Sequence, residues 1–176
     1  VGPSLFNLLK RLKAEGYKVD GLPSTSKNLE KLIQRQGAIF GGYAEGAIAE
    51  YIKNGNPELI SKEDYESWVA KCLRPQKYSE VVSLNGEFPG EYMNTDDGRL
   101  AVARVQLGNV VLIPQPAAGG GKNSFKMVHG TDAAPPHPYI AAYLWARYGF
   151  GADAMIHLGT HGSLEFTPRK QVALSS

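Results

Sequence analysis

Histidine is the side chain whose ordinary pKa lies nearest neutrality, and all four histidines of this chain fall between positions 129 and 161. The densest stretch reads Asp153-Ala-Met-Ile-His157-Leu-Gly159-Thr160-His161-Gly162-Ser163-Leu-Glu165. On a helix, the spacing of His157, His161 and Glu165 would place them on one face. Gly159 and Gly162 weaken such a helix, however, and Pro168 limits it on the far side. The pattern therefore predicts a short buried strand over 153–157, opening at its carboxyl end into a glycine-kinked loop. That edge of an open α/β sheet is where ligands usually sit. One histidine at a strand end is more often a hydrogen-bonded structural residue than a ligand; the clustering of all four argues for a site.

His129 stands in Met127-Val-His129-Gly-Thr-Asp132, and His137 in Pro135-Pro-His137-Pro138 at the start of a helix expected over 139–148. Asp132 is placed to cap or to orient a histidine. Imidazoles suit cobalt, nickel and zinc better than magnesium, which prefers oxygen. The spacings match no closed zinc site, so an open, weakly ligated or acid–base site fits better than a structural metal. Gly119-Gly-Gly-Lys122-Asn123 fails the phosphate-loop spacing, because Pro116 occupies the first glycine's position and Asn123 follows the lysine. Ser163 beside His161 lacks the Gly-x-Ser-x-Gly elbow of a hydrolase. A metal-dependent hydrolase would hold zinc tightly and in stoichiometric amount.

A chain of 176 residues with 43% apolar and 20% charged residues has the composition of an ordinary globular domain. Its net charge of +2, without a basic stripe, argues against a nucleic-acid partner. No apolar run approaches membrane-spanning length and no signal peptide is visible, which makes the cytoplasm the expected compartment. The single Cys72 is compatible with a reducing compartment and is expected at a buried helical position. Opening on Val1-Gly-Pro and stopping at Ala-Leu-Ser-Ser, the chain reads as a piece of something larger.

The elements that must position these residues follow from periodicity. Leu5, Leu8, Leu9 and Leu12 keep helical spacing after a Ser4 cap, and Gly16 ends the run. Tyr17–Val19 reads as a short strand. Ser26 opens a second helix with Leu29, Leu32 and Ile33 inward, stopped by Gly37. Ala44, Ala47, Ile48 and Tyr51 suggest a third, and Ser61 begins a fourth that buries Tyr65, Trp68, Val69 and Cys72. After the turn at Asp96-Asp-Gly98 comes a β-rich run through Leu100, Val102 and Val105. Gly108-Asn109 is a hairpin turn leading into Val110–Ile113, which is apolar throughout and reads as a central strand. The expectation is one α/β domain over 1–176: a small mixed sheet with several amphipathic helices, and a site at the carboxyl ends of central strands. A helical half, about 1–90, precedes a strand-rich half that holds the site, about 91–176.

The segment Ile156-His157-Leu-Gly159-Thr160-His161-Gly162-Ser-Leu-Glu165-Phe-x-Pro168-x-Lys170-Gln171 resembles the signature of the large subunit of ATP-dependent tetrapyrrole metal chelatases. That family comprises the cobaltochelatase large subunit of cobalamin biosynthesis and the porphyrin-binding subunit of magnesium chelatase. Gly108-Asn-Val-Val-Leu-Ile-Pro-Gln115-Pro116 resembles the family's strand ending in Gln-Pro. Pro135-Pro-His137-x-Tyr139-x-Ala-x-Tyr143-x-Trp145 resembles its proline–histidine–aromatic segment. Ser4 to Tyr17 is similar to its helix preceding a Gly-Tyr turn, so the likeness runs over most of the chain. Arg169 departs from it, standing where the family usually has glycine.

The resemblance implies insertion of a divalent metal into a tetrapyrrole, with ATP hydrolysed by an AAA+ motor subunit and its companion rather than bound here. Full-length members are several times longer, so the isolated piece is expected to be inactive. His157, His161 and Glu165 are the expected metal- and proton-handling group, with His137 and His129 next. Gln115, Asp132, Lys170 and Gln171 are the expected contacts to the macrocycle. Cobalt is preferred over magnesium as the metal substrate. The competing readings are a non-catalytic tetrapyrrole-binding or docking module and the metal-dependent hydrolase.

Overall fold

The computed structural model describes residues 2–37, 47–116 and 134–159. In chain order the elements are α1 (Gly2–Ala14), α2 (Ser26–Gln36), α3 (Ala47–Gly55), β1 (Glu58–Ile60), α4 (Lys62–Cys72), α5 (Pro75–Asn85), β2 (Leu100–Val102), β3 (Val105–Leu107), β4 (Val110–Leu112) and α6 (His137–Leu144). The last runs on into a π-helical turn, Trp145–Gly149. Among the described residues helices outnumber strands, as the α/β reading expects. The strands form two antiparallel pairs, β1 with β2 and β3 with β4.

Two clusters carry most of the core. In the first, α1 and α2 close over the β3–β4 hairpin. Leu9, Val19, Leu29, Val105 and Leu107 are buried there, flanked by Leu5, Leu12, Leu32 and Ile33. Thr25 caps α2 by accepting the Asn28 N–H at 3.2 Å. Ser4 does not cap α1; the helix already starts at Gly2, ahead of it. Tyr17–Val19 is not a strand, although Val19 is buried and the Lys18 carbonyl accepts the Asn109 N–H at 2.9 Å.

The hairpin turn forms where it is expected, with Leu107 opposite Val110 and Val105 opposite Leu112. Gly108 has φ +65°, and a Cβ there would fall 2.6 Å from the Lys18 carbonyl oxygen, so both the turn and the close approach require glycine. The stretch 110–113, read as a central strand, is covered on both faces. β4 ends at Leu112 and, among the described residues, pairs with β3. It is apolar throughout because successive side chains alternate between faces. Val110 and Leu112 pack on the α1–α2 cluster, while Val111 and Ile113 pack on the other one.

That second cluster joins the two halves of the chain. Ile60, Tyr65, Val69, Val81 and Phe88 come from before residue 91, and Leu100, Val102, Ile140, Ala141, Leu144 and Trp145 from after it. β1 was not foreseen; it pairs Ile60 with Leu100 and Glu58 with Val102. α5 was not foreseen either, and Pro75 begins it where a missing N–H is tolerated. Ser61 caps α4, accepting the Asp64 N–H at 3.1 Å. Cys72, expected in the core, is exposed at the last residue of α4, with its thiol 3.1 Å from the Tyr148 hydroxyl. Arg104 ties the strands to the π-turn, its Nε 3.0 Å from Glu58 and its guanidinium 5.7 Å from the centre of the Trp145 ring.

Leu29 has no exposed surface and lies where α1, α2 and the hairpin meet. Leu29→Ala should weaken this cluster by about 2–5 kcal/mol, measured as lost amide-exchange protection along α2 and β3.

Candidate functional site

α6 is apolar nearly all round and correspondingly buried. Its entry is set by prolines: the Pro136 carbonyl accepts the N–H groups of Tyr139 and Ile140 at 3.0 and 3.2 Å. Pro138 falls in the first turn, where a missing N–H leaves nothing unsatisfied. Asn85, at the end of α5, holds the approach to the helix by donating to the carbonyls of Ala134 and Pro135, both at 3.4 Å.

His137, the first residue of α6, is 0% exposed. Its Nε2 lies 2.9 Å from the Gly86 carbonyl oxygen and its Nδ1 3.0 Å from the Tyr65 hydroxyl. A carbonyl only accepts, so Nε2 carries the proton and Nδ1 accepts from Tyr65. Tyr65, Tyr78 and Phe88 surround the imidazole nearly edge-on, with ring centres 5.5, 6.3 and 6.2 Å away. Gly90 completes the box, where a Cβ would come within 3.1 Å of His137 Cδ2 and φ is +81°. Burial pushes the His137 pKa below the usual imidazole value, partly opposed by the Gly86 hydrogen bond and the Glu87 carboxylate. Burial also raises the Tyr65 pKa, which keeps its hydroxyl protonated and donating. The expectation that His137 joins the metal-handling group meets a different placement. Both ring nitrogens are already engaged, and no lone pair faces an opening.

The opposite aspect of α6 is different. Tyr143 stands six positions after His137, about 120° away around the helix axis. Its hydroxyl donates to Gln115 Oε1 at 3.1 Å. Its ring centre is 6.2 Å from that of His157, with the two planes 32° apart. Two residues singled out by sequence, Gln115 and His157, thus meet the same tyrosine. Gln115 arrives there because Ile113, two residues earlier, packs against the α6 cluster at the carboxyl end of β4. Both Gln115 and His157 are exposed.

Residues 153–157 do not form the buried strand expected of them. Among the described residues no strand pairs with this segment, and its apolar side chains face outward: Met155 is 49% exposed, Ile156 65% and Leu158 46%. A strand requires a neighbour for its backbone N–H and C=O groups, and hydrophobicity alone does not supply one. His129, Asp132, His161, Glu165, Lys170 and Gln171 lie outside the described residues, as do the 119–124 loop and Ser163. Among the described residues, no three His, Cys, Asp or Glu side chains come together in a way that could hold a metal. No described helix is long and apolar enough to cross a membrane.

Sequence reasoning placed Tyr143 in a motif without giving it a role, and took Tyr65 for an ordinary core residue. The only available signal for Tyr143 was its aromatic ring six residues after a proline-flanked histidine. Tyr65 is 72 residues from its partner, and nothing local marks the pairing.

The whole chain, residues 1–176, matches the CobN/Magnesium Chelatase family model. The chain belongs to that family. It is 31% identical over 170 residues to the aerobic cobaltochelatase subunit CobN of Pseudomonas aeruginosa, covering 97% of this chain and 13% of that one. It is 33% identical over 173 residues to the chloroplastic magnesium-chelatase subunit ChlH of Oryza sativa subsp. indica, covering 98% and 11%. Its fold is similar to that of the catalytic subunit of cobaltochelatase from Mycobacterium tuberculosis, with a TM-score of 0.70 and 32% identity over 93% of this chain and 14% of that one. The chain therefore spans about one-seventh or less of the length of these family members. Family membership extends through the Tyr143 cluster and the segment that carries His157, His161 and Glu165.

The His137 clamp has a measurable consequence. The ordinary imidazole value is 6.5, and the folded protein holds His137 below it. As pH falls below that value the unfolded state binds the extra proton first. The clamp's contribution is therefore complete above the ordinary value and declines as pH falls toward the lowered one. His137→Gln, whose amide can still donate to Gly86, should remove this part of the acid dependence of the thermal midpoint, measured between about pH 8 and pH 5. An acid slope identical to that of the unaltered protein would contradict the assignment.

Proposed function

We propose that this chain is a piece of the large subunit of a tetrapyrrole metal chelatase, and that the side of α6 bearing Tyr143 is part of the surface where metal and macrocycle meet. The observation that supports this reading most directly is the meeting of Gln115 and His157 at Tyr143, within a chain that belongs to the CobN/Magnesium Chelatase family. The exposed apolar side chains of Met155, Ile156 and Leu158 beside His157 suit the flat face of a macrocycle.

The chemistry asks for little permanent binding. A divalent ion exchanges part of its water for pyrrole nitrogens, and two inner N–H protons leave as the metal enters. Groups that accept a proton near neutral pH and release a metal readily serve both needs. We assign that work to His157, His161 and Glu165, with His129 next. His137 instead fixes the wall from behind, since its nitrogens are taken by Tyr65 and Gly86. Gln115, Asp132, Lys170 and Gln171 are assigned to the carboxylates or amides at the edge of the macrocycle. The metal substrate is cobalt on this reading, because imidazole favours it over magnesium and the residues assigned to the metal are mostly histidines. ATP would be used by an AAA+ motor subunit and its companion, and the complex would work in the cytoplasm.

The test uses the full-length subunit with its partners, in the variants His157→Ala, His161→Ala and Glu165→Gln. Each should lower the rate of metal insertion by about a hundredfold or more, the usual scale for removing a proton-transferring group, while tetrapyrrole binding persists. Insertion that survives all three replacements would leave a binding or docking module as the remaining role. Offered both ions, the unaltered complex should insert cobalt; insertion of magnesium alone would reassign the metal.

A further inference from the structure

We infer that Tyr143 is a positioning residue for this site, and that it turns the Gln115 amide so that its NH2 group faces carboxylate or carboxamide oxygens at the edge of the macrocycle. The inference rests on the functional reading above and adds a residue and a recognition chemistry to it. Tyr143 lies on α6, and its hydroxyl donates to Gln115 Oε1 at 3.1 Å. With one lone pair of the amide oxygen taken by that bond, the NH2 group and its two donors are turned away from Tyr143. Gln115 thereby becomes a directed donor, suited to an oxygen acceptor.

The same tyrosine holds the second partner. Its ring lies 6.2 Å from the His157 imidazole, centre to centre, at an interplanar angle of 32°. Tyr139, one turn earlier on α6 and buried, lies 5.3 Å from the Tyr143 ring and supports it from within. Tyr143 itself is half-buried, its partners exposed. A surface glutamine and a surface histidine are therefore both referred to a helix that the His137 clamp fixes in place. Holding a recognition group and a proton-handling group on one rigid element is what fixes the distance between the macrocycle's edge and its centre.

The experiment measures binding of two free-base porphyrins to the full-length subunit by fluorescence quenching, one bearing carboxylates at its eight outer positions and one bearing only alkyl groups there. Tyr143→Phe keeps the ring and loses the hydroxyl. It should weaken binding of the carboxylated porphyrin about three- to tenfold, the scale of one hydrogen bond, and that of the alkyl porphyrin by less than about twofold. Gln115→Leu should behave alike, and the double variant should be no weaker than the worse single one. Equal losses for both porphyrins, or additive losses in the double variant, would overturn the inference. Tyr143→Leu, which also removes the ring, should in addition slow metal insertion, and an unchanged rate would count against the contact with His157. Unaltered binding in Tyr143→Phe, with insertion still lost in His157→Ala, refutes the role of Tyr143 alone. Retained insertion in His157→Ala refutes the functional reading beneath it.

Discussion

A neutral imidazole held between a phenol and a peptide carbonyl sets the geometry of the described molecule. His137 has no exposed surface, and each of its nitrogens has one partner of the right kind: Gly86 accepts from Nε2 and Tyr65 donates to Nδ1. Those partners come from the turn after α5 and from α4, so one side chain fixes where α6 begins relative to both. Leaving either partner unsatisfied in this box of Tyr65, Tyr78 and Phe88 rings would cost about 1–3 kcal/mol. Prolines at 135, 136 and 138 fix the direction in which the helix leaves.

From that anchored start, α6 carries Tyr143 to an open side. β4 delivers Gln115 there because its two faces are covered by different clusters, one under α1 and α2 and one under α6. The π-turn then ends the helix and releases the chain toward His157; Phe150 and Ala152 donate back to the carbonyls of Trp145 and Ala146 at 2.7 and 2.9 Å. Two segments, one before the helix and one after it, are thus referred to a single helix. The closed side of α6 is occupied by a histidine with no chemistry left to offer, and its open side by one that remains exposed.

Local signals in the sequence were legible in several places, though not at Ser4, which lies inside α1 instead of capping it. Ser61 accepts the N–H group that starts α4, α2 begins at Ser26 with Thr25 before it as the cap, and the Gly108-Asn109 hairpin forms where it is expected. Non-local features were not legible. Val110–Ile113 reads as a central strand because both its faces are apolar, but the local pattern does not say which cluster covers each face. His157 and His137 look alike in sequence, as histidines in apolar or proline-rich settings. Only the distant Tyr65 and Gly86 separate the buried one from the exposed one. The strand expected at 153–157 failed for a related reason: pairing depends on a partner, and no described segment provides one.

The central physical claim is that the open side of α6 is where the macrocycle rests, and hydrogen–deuterium exchange addresses it directly. Amide exchange would be followed across the full-length subunit with and without a saturating tetrapyrrole. Protection should appear over 110–116 and 153–159 and at the carboxyl-terminal turn of α6, with α1 and α2 unchanged. Protection confined to α1 and α2, or absent from all three of those segments while the tetrapyrrole is bound, would contradict it.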